Sequence, residues 1–329
     1  MTQVPILTVT LNPALDTTTS VPRLEAQRKL RCTQPILHPG GGGANVSRAI
    51  RELGGESRAF VALGGHTGRQ YLDLLRAAGV TYIDYALGGE TRTSMTVMEA
   101  QTGLHYRFVL PGPPQTSQDG EAILAELGRI IAGGIGYVVA SGSLLPGIAE
   151  DFYARLADVV RGHNAKLILD THGAALKRAI AGRPFLIRLN QLEAEELAAE
   201  TAAGAAPAEV AQQLVAAGAA EVVVFAMGER GSLVTTRDIQ FTIAPPEVTV
   251  HSMVGAGDSY VAALTLALAR GWSLESANRF GVAAAASAVT REATQLCERT
   301  STERFYNETG QVTYLRQPAA PADSGRHSR

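Results

Sequence analysis

Cysteine, aromatic residues and net charge are all scarce in this chain: two cysteines, 5% aromatics and a formal charge of −2 over 329 residues. Each scarcity closes a class of function. Cys32 and Cys297 are too few and too far apart for a disulfide framework, which points to reduced thiols in a cytosolic protein. Without a basic excess there is no field to recruit nucleic acid or an anionic membrane, so any phosphate recognition must be local. The alanine-rich stretches near 198–220 and 282–289 are interrupted before either approaches a membrane span. Met1 to Leu11 has no basic head and no long apolar run, so no signal peptide is expected. Neither a Walker A loop nor the GxGxxG dinucleotide fingerprint is present. What remains, 46% hydrophobic and 18% charged, is the composition of a soluble globular enzyme.

Short apolar runs alternate with helix-like segments. Ile6–Leu11, Ala59–Leu63, Tyr137–Ala140, Leu167–Asp170, Leu186–Leu189 and Val222–Ala226 read as strands buried on both faces. Amphipathic patterns lie between them at about 44–53, 68–78, 119–132, 150–162, 191–201 and 207–217. This alternation predicts an α/β fold, a doubly wound sheet with helices on both faces. Two regions break it. Residues 17–37 have no helical period, and 91–110 read as strand, turn and strand with alternating polarity. The expected organisation is a large α/β domain from 1–16, 38–86 and 111–316, with a small β-sheet lid from 17–37 and 87–110. Residues 317–329 read as a disordered tail.

Two glycine-rich runs stand about 210 residues apart, each just ahead of a helical pattern. Glycines there let backbone N–H groups turn toward an anion at the favourable end of a helix dipole. In Gly255-Ala256-Gly257-Asp258-Ser259 the N–H groups can receive charge developing on a transferring phosphoryl group, while Asp258 can accept a hydroxyl proton. Asp258 could equally be a plain N-cap. Gly40-Gly41-Gly42-Gly43-Ala44-Asn45 would let the backbone approach a sugar, with Asn45 on a hydroxyl. Asn190 and Glu193, at i and i+3, could hold water around Mg²⁺ or simply form a capping box. Lys29, Arg92 and Arg107 fall in the lid, where fixed cations could meet a phosphate. His38, His66, His105 and His172 show no metal-ligand spacing and read as structural or surface residues. Two anion cradles and one poised base predict phosphoryl transfer to a small hydroxyl compound.

Together these motifs resemble the ribokinase-like carbohydrate kinases, and within them the minor-type ATP-dependent 6-phosphofructokinase branch. Besides the two glycine runs, Thr10–Asp16, Lys29–Cys32, Tyr106–Gly112 and Ser141–Gly147 resemble stretches of that branch, in the same order, from about residue 6 to 308. The resemblance implies MgATP as phosphoryl donor and fructose 6-phosphate as acceptor, with fructose 1-phosphate or tagatose 6-phosphate as alternatives and a non-catalytic sugar-phosphate sensor as a remote one. It implies a cytoplasmic homodimer joined through the β lid.

Residue roles carried by the resemblance are these. Asp258 would be the base, with Gly255, Ala256 and Gly257 forming the anion hole. Asp16, Gly41, Gly42, Asn45, Arg92 and Ser141 would hold the sugar phosphate. Lys29, Arg188, Asn190, Gly228 and Gly231 would hold ATP, and Asn190 with Glu193 would hold Mg²⁺ through water. Three departures stand out. Arg188-Leu189-Asn190 replaces Lys-Pro-Asn, and Ala226 replaces a Ser or Thr. Thr290–Thr294 replaces an Asn- and Gly-containing stretch that helps enclose a monovalent cation, K⁺, for which Ser252, Val254, Ala288, Arg291 and Ala293 are the corresponding positions. A weakened ion site is expected, with Arg291 supplying the charge.

Overall fold

The computed structural model describes residues 3–201, 205–292 and 294–317, so Ala293 and the expected tail after Gln317 lie outside the described residues. The large sheet has ten strands. Its first six in chain order are β1 (Ile6–Thr10), β4 (Arg58–Leu63), β5 (Thr81–Ala86), β8 (Tyr137–Ser141), β9 (Lys166–Asp170) and β10 (Leu186–Leu189). They are followed by β11 (Val222–Ala226), β12 (Ser232–Thr235), β13 (Gln240–Ile243) and β14 (Thr313–Arg316). The seven strands from β1 to β11 pair in parallel, and β12, β13 and β14 extend the sheet antiparallel.

Continuous apolar runs such as Ile6–Thr10, buried throughout, need cover on both sheet faces. One face is closed mainly by α3 (Ser117–Ile131), α4 (Phe152–Gly162), α5 (Gly173–Ala179) and α7 (Pro207–Ala216). The other is closed by α1 (Gly42–Glu52), α8 (Ala256–Ala269) and α9 (Leu274–Val289). The remaining helices are α2 (Gly65–Ala77), α6 (Gln191–Thr201) and α10 (Arg299–Glu308). Helix α8 is apolar almost all round, with ten of its residues buried, so it runs through the core rather than along the surface.

Strand order runs β5-β4-β1-β8-β9-β10-β11, so the chain winds one way from β1 and then the other from β8. Ligands in open α/β sheets bind where the order reverses, outside the carboxyl ends of the strands. That point lies between Thr10 and Ser141.

A second sheet of four strands, ordered β3-β2-β6-β7, comprises β2 (Ala14–Val21), β3 (Ile36–Gly40), β6 (Arg92–Glu99) and β7 (His105–Val109). It extends past the expected lid boundaries, because β2 starts at Ala14 and β3 continues to Gly40. Its side chains alternate. Arg92 and Ser94 on β6, with Arg107 and Val109 on β7, share one face; Met95, Tyr106 and Phe108 share the other.

Candidate active site

A cavity of about 480 Å³ opens at the switch point, between the ends of β1 and β8 and the polar face of the small sheet. Asp258 reaches it from the first turn of α8, whose N-cap Gly255 has φ 80°. Asp258 Oδ2 accepts from Asn45 Nδ2 at 2.9 Å, and Asn45 Oδ1 in turn accepts from Arg48 Nη1 at 3.0 Å. Asn45 and Arg48 are one turn apart on α1, so the arginine fixes which way the amide faces. Enclosure by protein, reinforced by the negative charge of Asp170, raises the Asp258 carboxyl from 3.8 to about 7, against the pull of Asn45, Arg188 and Arg107.

The run at Gly40–Gly43 is tight for steric reasons. Gly41 has φ +114°, and a Cβ on Gly42 would lie 2.0 Å from Ser141 Oγ. The glycines let the start of α1 close on the end of β8. Asp16, on β2, also faces the cavity. Its Oδ1 is buried without a hydrogen-bond partner, and burial raises its carboxyl despite Arg107, Arg92 and Arg48 nearby. Such an acceptor fits a ligand hydroxyl. Arg92 is anchored to the Asn12 carbonyl through Nε (3.2 Å) and Nη2 (3.0 Å), and Arg107 lines the same wall.

On the far wall Arg188 Nη1 pairs with Asp170 Oδ1 at 3.1 Å, both side chains largely buried. A Cβ on Gly257 would sit 3.1 Å from that guanidinium, so Arg188 flanks the start of α8, and its Nε is left without a partner. An unpartnered guanidinium N–H beside a helix N-terminus fits an anionic phosphate. Asn190 and Glu193 form the reciprocal cap: Asn190 N donates to Glu193 Oε2 (2.7 Å), and Glu193 N donates to Asn190 Oδ1 (3.0 Å). Glu193 still lines the cavity, and burial followed by Asp170's charge raises its carboxyl. Burial and Asp170's charge thus raise both Glu193 and Asp258, yet among the described residues no three such groups are placed to ligate a metal ion directly, so a cation here would be held through water.

The cavity gathers Asp16, Gly41, Gly42, Asn45, Arg92, Ser141, Arg188, Glu193, Gly255, Gly257 and Asp258. It does not include Lys29, which is exposed on the loop between β2 and β3, or Gly228 and Gly231, which bound a short turn after β11. Nor does it include Arg291, whose guanidinium is engaged by Gln295 Oε1 (3.1 Å) and Glu298 Oε2 (3.2 Å). Arg291, expected to supply charge at the altered cation loop, thus meets a carboxylate of the segment that follows it. His172, read as structural or surface, lies in the cavity wall. Arg48 and Asp170 escaped the sequence reading altogether, since an arginine within a helix and an aspartate ending a strand carry no signature of their own.

The class that this fold and site belong to is that of α/β carbohydrate kinases. The pfkB family carbohydrate kinase model matches residues 1–301, and the chain belongs to that family. The ATP-dependent 6-phosphofructokinase isozyme 2 of Mycobacterium tuberculosis is 42% identical over 320 residues, spanning 95% of this chain and 94% of that protein. The 1-phosphofructokinase of Bacillus subtilis is 31% identical over 92% of this chain and 96% of that protein. The crystal structure of phosphofructokinase-2 from Escherichia coli in complex with substrates and products superposes with a TM-score of 0.84 at 36% identity, covering 92% of this chain and 99% of that one. Its complex with potassium gives 0.85 at 35% identity, covering 92% and 98%.

Proposed function

We propose that this protein is an ATP-dependent 6-phosphofructokinase, transferring the γ-phosphoryl group of ATP to the C1 hydroxyl of fructose 6-phosphate and giving fructose 1,6-bisphosphate. The observation that carries this is Asp258: a carboxylate at the start of a buried helix, tuned to about 7, at the switch-point cavity. A base poised near neutrality takes a hydroxyl proton efficiently. The higher identity to 6-phosphofructokinases than to a 1-phosphofructokinase favours fructose 6-phosphate as acceptor.

In this reading Asp16, Asn45 and Ser141 orient the sugar, and Arg92 with Arg107 bind its 6-phosphate. Asp258 Oδ receives the C1 hydroxyl proton as the oxygen attacks phosphorus. The N–H groups of 255–257 and the Arg188 guanidinium take up charge on the transferring group. Arg48 keeps the Asn45 amide turned toward Asp258. Mg²⁺ would be held through water by Glu193 and Asn190 and would neutralise phosphate charge. Lys29, Gly228 and Gly231 would complete the nucleotide site when the lid closes over the large domain. The exposed apolar face of the lid, with Met95 (42%), Tyr106 (37%) and Phe108 (49%), would pair with a second copy in a cytoplasmic homodimer. With Arg291 paired to Glu298, K⁺ would add little at the 252–254 and 288–293 loops.

The reading is tested by ³¹P NMR of a reaction started from MgATP and fructose 6-phosphate. A new phosphate resonance coupled to the C1 protons is expected; phosphorylation at another carbon, or ADP formation without a new sugar phosphate, overturns it.

A further inference from the structure

At the opposite end of the large sheet lies a second cavity, of about 710 Å³. Arg51, Arg58 and Arg270 line it. Arg51 is in the last turn of α1, Arg270 directly follows α8, and Arg58 opens β4. Glu56 also lines the cavity, yet none of the three arginines has an ion pair among the described residues. A fourth guanidinium crowds in: Arg299 Nη1 would lie 3.0 Å from a Cβ on Gly54, the residue whose carbonyl accepts from Arg270 Nη2 at 2.8 Å.

Of the three guanidinium groups lining the cavity, Arg270 is anchored to the Gly54 carbonyl, while Arg51 and Arg58 are exposed. Arg51 lies across the turn at Gly79, where a Cβ would come within 2.6 Å of its Nε. A helix-end cation is common by itself, because it meets the dipole. That accounts for Arg51 and Arg270 singly. It does not account for Arg58 at a strand start, or for Arg270 and Arg299 being close enough that burial and then the second charge lower the Arg270 pKa. Arg299 is itself paired to Glu303 at 2.7 Å, but Arg51, Arg58 and Arg270, gathered around a cavity without an ion pair among the described residues, are the arrangement that an oxyanion would complete.

The position adds a consequence. Helices α1 and α8 pack against each other, and the Asn45–Asp258 hydrogen bond ties their starts together in the active site. Arg51 and Arg270 sit at their far ends, about 9 Å from Asn45 and about 18 Å from Asp258 along the helices. We propose that this cavity binds a small oxyanion, a phosphate group or a compact polycarboxylate, and that occupancy reaches the catalytic pair by drawing together the C-terminal ends of α1 and α8. The site is separate from the cavity that holds the substrates, and its binding arm does not depend on which sugar is phosphorylated.

The test uses the full chain with its active site filled by fructose 6-phosphate and a non-hydrolysable ATP analogue. Inorganic phosphate, and separately citrate, is titrated calorimetrically into wild type and into the double variant Arg51→Gln/Arg58→Gln. Neither residue has a hydrogen-bond partner to lose, so the variant should fold and turn over normally without added anion, which melting and initial rates check. The expected result is one further site per chain, weakened about tenfold or more in the variant. The same anion should change kcat/KM in wild type and leave the variant unaffected. Binding of phosphate alone identifies a phosphate-bearing ligand; binding of both probes identifies general oxyanion recognition. No heat with the active site filled, or equal affinity in the variant, overturns the site. Binding with unchanged kinetics overturns the link along the helices.

Discussion

Replacing Asp258 by Asn separates what the carboxylate does for chemistry from what it costs the fold. The carboxyl lies at about 7 in the folded chain against 3.8 as its ordinary value, a difference of about 4 kcal/mol in favour of the protonated form. Between those values the folded protein keeps a proton that the unfolded chain has lost. Stability of the wild type, without ligands, therefore falls as pH rises from about 4 to about 7, and above that the full penalty applies. Asn cannot ionise, so the variant escapes the penalty. Relative to wild type it should gain about 3 kcal/mol between pH 5 and pH 8, or roughly 5 °C in Tm for a chain of this size. Turnover should be abolished while fructose 6-phosphate still binds. The assay is thermal melting of both proteins across pH, together with the pH dependence of wild-type kcat/KM, which should rise with an apparent pKa near 7. A Tm difference that does not change with pH, or an activity limb near 4, would refute the buried-base reasoning.

Other expectations follow from the same geometry. Arg48→Met should lower kcat about tenfold and move the activity limb to higher pH, because the Asn45 amide loses its orienting partner and Asp258 loses a nearby cation; Arg48→Lys should restore the limb more than the rate. Asp16→Ala should raise KM for fructose 6-phosphate by roughly ten- to a hundredfold with a smaller change in KM for ATP, measured by initial rates. Phe108→Glu, on the exposed apolar face of the small sheet, should turn dimers into monomers by light scattering. Rates in K⁺ and in tetramethylammonium should be alike; strong activation by K⁺ would show that the altered loop still encloses a cation.

The parts of the fold legible in the sequence were those where burial is uniform. β10 and β11 appear with the bounds that their apolar runs set, and the 91–110 hairpin follows from its alternation. β5 was missed because TYIDYA is a half-exposed edge strand whose aromatic and acidic residues match no single template. α9 was missed for the opposite reason: eleven of its sixteen residues are buried, so its alanine run shows no polar stripe. Within the site, glycine runs and Asp258 are readable locally, since backbone approach to an anion demands those residue types. Arg48 and Asp170 acquire their places only when α1, α8 and β9 converge, and that convergence is a property of the sheet order rather than of any short motif. The charge at Arg291 was legible, but its pairing with Glu298 was not.

The central claim is that Asp258 and the cavity around it phosphorylate fructose 6-phosphate. It is tested most directly by initial rates with MgATP against fructose 6-phosphate, fructose 1-phosphate and tagatose 6-phosphate side by side. The account predicts the highest kcat/KM with fructose 6-phosphate and its loss in Asp258→Asn. A higher value with either other sugar, or no turnover with any of the three, would contradict it.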